Sequence, residues 1–343
     1  MIYYIQRVNV CSKTAALRCP VFEIRRCIKV NGNSLSSRKK DTLWHRIVKN
    51  KAAYLMLLPV MVGFVALTLY PNLWVVGLSF FKYDGITTPE FIGLENFIRM
   101  FTRDPGWWQA VGNTFIFAVG KLVVEMPIAL LLAVMLDRKL HGSNFFRGVL
   151  FLPNITSTAV MAVVFSLLFA AYNGFINNTL LGLHWIDTPI DWLGTSPAAM
   201  IVCILVSTWQ SIGINTILFL AGLQGIPQDV YESGDIDGAV GWKRFCHITL
   251  PLLARMFQMI LMLAIIGSMQ IFDLMKVLTG GGPSGATEVM MTKIYSYFFP
   301  SSYAANVISQ VGYGSALGVM ASLIIGVVTV LYLVLSKKMD DIA

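Results

Sequence analysis

The chain reads as long apolar runs separated by short polar breaks. Six runs, 54–81, 110–136, 148–172, 199–223, 252–278 and 313–336, reach the length that a helix needs to cross a hydrocarbon core. Lipid cannot satisfy free backbone N–H and C=O groups, so such runs predict membrane-spanning helices. Between the first two, FIGLENFIRMF puts Phe91, Leu94, Phe97, Ile98 and Phe101 at helical spacing with polar residues between. That pattern predicts an amphipathic helix on the membrane surface within 82–109. Residues 287–299 have the same character. Trp107-Trp108 and Tyr295, Tyr297, Phe298 and Phe299 suit the interface, where aromatic rings sit at headgroup level. The fifth run ends in LTGGGP, 278–283, with glycines free to take positive φ and a proline that stops the helix resuming.

The segment between the fourth and fifth runs is unlike the other connections. It contains YESGDIDGAVGWKRFCHITLPLL, 231–253, rich in acids and glycines. Pro227 can start a helix there and Asp229 favours its positive end. Gly238 breaks it, a second helix begins near Gly241-Trp242, and Ile248–Pro251 leads into the fifth run. The spacing predicts a helix-turn-helix in water over 224–251.

Composition agrees with the pattern. The chain is 56% hydrophobic and 13% charged, too little charge to solvate a soluble domain of this size. The fold class is all-α integral membrane. A formal net charge of +8 suggests nucleic acid until the charges are located. Twelve of the 26 Lys and Arg lie in 1–53, and only Lys82, Arg99, Arg103 and Lys293 fall in the alternate loops. This asymmetry is the positive-inside signature, so both termini are expected in the cytoplasm and no nucleic-acid partner is implied. The domain reading is a basic cytoplasmic extension at 1–50, a membrane domain at 51–338, and a short cytoplasmic tail at 339–343. Residues 1–40 read as a loosely ordered extension or as the result of a start site placed too far upstream. Cys11, Cys19, Cys27, Cys203 and Cys246 have no metal-ligand spacing, and no disulfide or metal site is expected.

Candidate chemistry is sparse. No P-loop is present, and His45, His141, His184 and His247 are scattered without a catalytic pattern. The chain reads as a non-enzyme whose energy comes from a partner or an ion gradient. Lys121 and Glu125, at i, i+4 in the second run, form either a structural ion pair or a substrate contact. Ser207, Gln210, Ser211 and Asn215 lie along the fourth run, and Ser268, Gln270 and Asp273 along the fifth. They fit interhelical hydrogen bonds or a polar pathway equally well. Trp209 reads as interior packing. Gly314 and Gly318 form a small-xxx-small pair that favours close helix approach.

Glu232, then Gly238 six residues on, then Ile248, Leu250 and Pro251 resemble the EAA loop of binding-protein-dependent ABC importer permeases, without a gap. Ser233-Gly234 replaces Ala-Ala, and Gly costs about 1 kcal/mol of helix propensity relative to Ala. FIGLENF, NTFIF (113–117), AGLQGIP (221–227) and FDLMKVLTGGGP (272–283) look like carbohydrate-uptake permeases, in particular the first of their two paired subunits. The resemblance covers most of 50–338. It implies a type I ABC importer bundle of six helices with a cytoplasmic coupling helix, in a bacterial cell membrane. The implied partners are membrane lipid, a second permease, two ABC ATPase subunits carrying ATP and Mg, and an outer solute-binding protein delivering a carbohydrate. No cofactor is implied in this chain. Tyr231, Glu232, Ser233, Gly234, Asp237 and Gly238 would dock the ATPase, with Glu232 pairing with a base in its groove. Ser207, Ser211 and Ser268 fall at positions resembling sugar-lining ones. Gln210, Asn215, Gln270, Lys121 and Glu125 are the further pathway candidates, and Trp209 could stack on a sugar ring. The competing reading is a secondary transporter driven by an ion gradient, which would rely on Glu125 and Asp273.

Overall fold

The computed structural model describes residues 51–137, 142–300 and 308–340. The expected extension at 1–50 and residues 341–343 of the expected tail lie outside them. The chain divides into two compact units after Pro71. The first holds helix α1 (Lys51–Phe64) and a π-turn at Val65–Leu69, and neither Ala52 nor any residue of 54–71 is buried. Helix α2 (Tyr70–Leu78) continues the run, so that Tyr54–Leu78 is long and apolar enough to cross a membrane.

In the second unit, a two-stranded antiparallel ribbon follows α2. In it β1 (Phe81–Lys82) faces β2 (Glu90–Phe91), with Phe81 opposite Phe91. Helix α3 (Glu95–Thr102) follows and is amphipathic, as the spacing predicts. Asn96 and Met100 are buried, while Ile98 and Phe101 point outward. The amide of Asn96 donates to the carbonyls of Ser79 and Phe81, which fixes α3 against the ribbon.

Helix α4 (Pro105–Asp137) starts five residues before the predicted second run and packs along helix α8 (Ser196–Gln224). Phe117, Cys203, Val206, Leu274 and Met275 meet in one buried cluster. A second cluster gathers Met126, Ala129, Ala133, Phe219, Leu220 and Leu253 toward the other end. These small residues on α4 let the two helices approach closely, which is how packing energy is gained where lipid supplies no hydrophobic drive.

Two predicted spans are not continuous. The third is split into α5 (Ser143–Ile155) and α6 (Thr158–Leu168), bent by 94°. Thr156 and Ser157 are extended at the break, with ψ of 138° and 130°. Pro153 has already removed one helical hydrogen bond there, and β-branched Ile155 and Thr156 resist the helical turn. The fifth run is interrupted after α11 (Leu250–Met269). Residues 270–272 leave the helix before α12 (Asp273–Leu278) resumes it. Five described runs are long and apolar enough to span, and α5 with α6 make a sixth. Helix α7 (Phe175–Gly182) lies in the connection before α8.

One close contact holds the split span in place. A Cβ on Gly213 of α8 would lie 1.8 Å from the Leu150 carbonyl oxygen of α5, so only glycine fits. Beyond the fourth run come α9 (Gln228–Ile236) and α10 (Trp242–Arg244). A π-turn at Phe245–Thr249 fuses α10 to α11, so the second helix of the expected inner pair is the base of the fifth span. In both described π-turns a proline follows two residues later, Pro71 and Pro251. A proline ring clashes with the carbonyl four residues back in a regular helix, and the wider turn gives it room. Helix α13 (Met290–Phe298) precedes α14 (Val311–Asp340), the last span.

Candidate functional site

Three places gather polar groups. The first is a cavity of about 230 Å³ between the two broken spans. Ser207, Gln210 and Ser211 line it from α8, Gln270 from the break before α12, and Asp273 from the first position of α12. Asn154 at the end of α5 and Thr158 at the start of α6 flank the other break and enter it too. Gln210 Nε2 donates to Thr158 Oγ1 at 2.9 Å, tying α8 to α6 across the cavity. Irregular backbone at membrane depth is tolerated only where it lines a cavity or is buried in protein. The break at 270–272 lines the cavity itself, and the break at 156–157 is flanked by Asn154 and Thr158, which line it.

Five of the eight pathway candidates from the sequence border this cavity: Lys121, Ser207, Gln210, Ser211 and Gln270. Three do not. Ser268 is fully buried and donates to its own helix at Ala264. Glu125 is fully buried behind Lys121, with Lys121 Nζ 3.6 Å from its Oε2. Asn215 donates to Glu125 Oε1 at 2.7 Å and is thereby held away from the cavity. Trp209 is 45% exposed and meets Phe165 edge-on, so it is not the interior-packed residue expected. Asn154, Thr158 and Phe272 were missed. Their run gave no signal except Pro153 and three successive hydroxyl residues at 156–158.

The second place is α9 and its turn. The helix is unbroken through Ser233-Gly234, so the departure from Ala-Ala does not dissolve it. Gly234 is buried against the base of the fifth span, and a Cβ there would lie 2.2 Å from Ile248 Cδ1. Tyr231 also turns inward. The Arg244 guanidinium lies 4.4 Å from its ring centre, Thr249 donates to its hydroxyl at 3.4 Å, and Arg244 pairs with Asp235 at 3.2 Å. These contacts latch α9 onto α10 and the π-turn. Gly238 at φ +73° and Gly241 at φ +62° supply the left-handed positions that reverse the chain between them. The outward face carries Glu232, Ser233 and Asp237 beside Ile236, Val240 and Trp242, the last three 88%, 67% and 76% exposed. Four of the six docking candidates, Glu232, Ser233, Asp237 and Gly238, are thus exposed, while Tyr231 and Gly234 form the latch.

The third place lies near the start of α4. Asp104 Oδ2 accepts from the hydroxyls of Tyr297 and Tyr313 at 2.9 Å each, and its Oδ1 accepts from Trp107 N at 3.0 Å. Partial burial works against the carboxylate, but the two hydroxyls, the Trp107 N–H and nearby Lys293 outweigh it, so its pKa falls below the ordinary value. Burial, with the hydrogen bond to Asp104, pushes the Tyr297 hydroxyl well up and keeps it a donor. Asn113, in the NTFIF motif, donates to the carbonyls of Gly285 and Glu288, and Thr114 accepts from Met290 N. These bonds pin the glycine-rich loop and α13 to α4.

Residues 125–341 match the family model described as binding-protein-dependent transport system inner membrane component. The chain belongs to this family. Among its relatives, the arabinooligosaccharides transport system permease protein AraP of Bacillus subtilis (strain 168) is 34% identical over 88% of this chain and 94% of its own. The lactose transport system permease protein LacF of Rhizobium radiobacter is 37% identical over 70% and 82%. The trehalose/maltose transport system permease protein MalF of Thermococcus litoralis is 31% identical over 85% and 95%. In fold, the chain is similar to a solved bacterial ABC transporter involved in the import of the acidic polysaccharide alginate. The TM-score is 0.73 at 22% identity, over 86% of this chain and 98% of that one. The permease is therefore a transport subunit of an ABC importer, and ATP hydrolysis belongs to a separate subunit. The carrier driven by an ion gradient is set aside. Among the described residues no cluster of His, Cys, Asp or Glu could hold a metal.

Proposed function

We propose that this permease forms half of a pathway for a carbohydrate, delivered by an outer solute-binding protein and driven by two ATPase subunits through α9. The observation that carries the reading is the cavity. Its amides and hydroxyls offer both donors and acceptors, the set a polyhydroxylated guest needs when it leaves water. The saccharides in the names of the relatives are consistent with that set. Phe272 beside the cavity gives an apolar surface for the CH face of a sugar ring. A second permease would close its open side, and both termini would lie in the cytoplasm.

ATP would act at a distance. An ATPase pair can shift the permease between inward-facing and outward-facing states only through contacts that differ between them. The exposed face of α9, with Glu232 and Asp237 beside Ile236, Val240 and Trp242, suits that docking. Because Tyr231, Gly234 and Asp235 latch α9 to the base of the fifth span, a push on α9 moves that span and the Gln270 break at its far end. The test is uptake of radiolabelled arabinotriose, lactose and trehalose by proteoliposomes holding the complete system and internal ATP. Uptake of at least one sugar that stops without ATP supports the reading. Uptake of amino acids or ions with no saccharide overturns it.

A further inference from the structure

The back wall of the cavity holds a charge arrangement that translocation of a sugar does not by itself require. Lys121 is 8% exposed and borders the cavity, while Glu125 is fully buried one turn further along α4, 3.6 Å from its ammonium. The second oxygen of Glu125 is fixed by the Asn215 amide, so the carboxylate cannot swing toward the guest. The other charged side chain on the lining is Asp273, exposed at the rim. The remaining polar lining residues are amides and hydroxyls.

A guest carboxylate approaching Lys121 would meet two negative charges with one positive. Charges interact strongly where water is scarce, and Glu125 lies close enough to cancel most of the attraction of the ammonium. The guest would also lose its hydration without a net positive charge to replace it. A sugar hydroxyl meets no such penalty, because an ammonium has three donors and its pair with Glu125 does not use them all.

We propose that Glu125 is a specificity-determining positioning residue. It holds Lys121 in a charge-cancelling pair that leaves the ammonium as a donor to sugar hydroxyls and excludes acidic saccharides. This inference rests on the saccharide reading. Glu125→Gln keeps the shape and an oxygen for Asn215 while removing the charge. Equilibrium dialysis of the purified complex would compare lactose with lactobionate, and arabinotriose with trigalacturonate. The wild type should favour the neutral member of each pair. Glu125→Gln should raise the acid-to-neutral affinity ratio by roughly tenfold or more, the effect of uncovering one charge at short range. The Lys121→Gln/Glu125→Gln double variant should return the ratio to the wild-type value, because the attraction comes from the uncovered ammonium. An unchanged ratio in Glu125→Gln overturns the proposal, as does a raised ratio that persists in the double variant. If Glu125→Gln does not assemble, the wild-type ratio decides. Tighter binding of the neutral member of both pairs supports the proposal, and equal or tighter binding of the acidic member overturns it. Failure of every protein to bind any of the four sugars would instead overturn the saccharide reading.

Discussion

Gly213→Ala probes the contact that sets the geometry of the cavity. The added Cβ would sit 1.8 Å from the Leu150 oxygen, 2.6 Å from its carbonyl carbon and 3.2 Å from Phe151 Cα. All three are backbone atoms, so no side-chain rotation can relieve the overlap. An ordinary carbon–oxygen contact is about 3.3 Å, which requires α8 and α5 to part by about 1.5 Å. Overpacking against backbone that cannot turn aside falls in the upper part of its usual range, about 2–3 kcal/mol, from which about 1 kcal/mol is recovered because Ala favours helix over Gly. The net loss of about 1–2 kcal/mol should lower the unfolding midpoint by roughly 2–6 °C. Tryptophan fluorescence on heating the purified complex in detergent measures it. Separation of the helices also pulls Thr158 from Gln210, so saccharide uptake should fall by more than the stability loss explains. Gly148→Ala, on the exposed side of α5 with nothing within 4 Å, is the control and should melt no lower than the wild type, since it gains up to about 1 kcal/mol of helix propensity with no clash. Equal midpoints for the two variants would refute the close-contact argument.

Three further outcomes follow from the other two polar places. Asp104→Asn should destabilise the permease by about 1 kcal/mol at neutral pH, since a neutral amide accepts the tyrosine hydroxyls less strongly and the site is partly solvated. The folded pKa of Asp104 is lowered, so its contribution is complete above the ordinary carboxyl range near ~3.9 and is lost as pH falls through the lowered value. Melting midpoints of wild type and variant should therefore differ at pH 7 and converge in strong acid; a gap that widens there would contradict the sign. Gly234→Ala gains about 1 kcal/mol of helix propensity but forces the Ile248 δ-methyl out of its rotamer at about 0.5–1.5 kcal/mol. The midpoint should barely move, and a drop of 5 °C or more would show that Ile248 cannot turn aside.

The spans were legible because bilayer thickness sets a length that a hydropathy run displays directly. The inner loop was legible because its punctuation is local: Pro227, Gly238 and Ile248–Pro251 each act within a few residues. The breaks in the third and fifth spans were not, because averaged hydropathy passes over Thr156-Ser157 and Gln270 between strongly apolar neighbours. That is why Asn154 and Thr158 escaped notice as cavity residues. Side-chain direction was equally hidden. Ser211 and Asn215 share a helix face by spacing, yet Asn215 is captured by Glu125, 90 positions away in sequence. Tyr231 and Gly234 look like docking residues by position, but Arg244 and Ile248 draw them inward.

The central claim is that the work of ATP enters through the exposed face of α9, and Ile236→Asp tests it most directly. Ile236 is 88% exposed, so the substitution should leave the melting of the permease unchanged. Burying a charge in an apolar docking contact should nevertheless strip the ATPase from the purified complex and abolish ATP-driven uptake. ATPase retained at full stoichiometry, with uptake intact, would contradict the account.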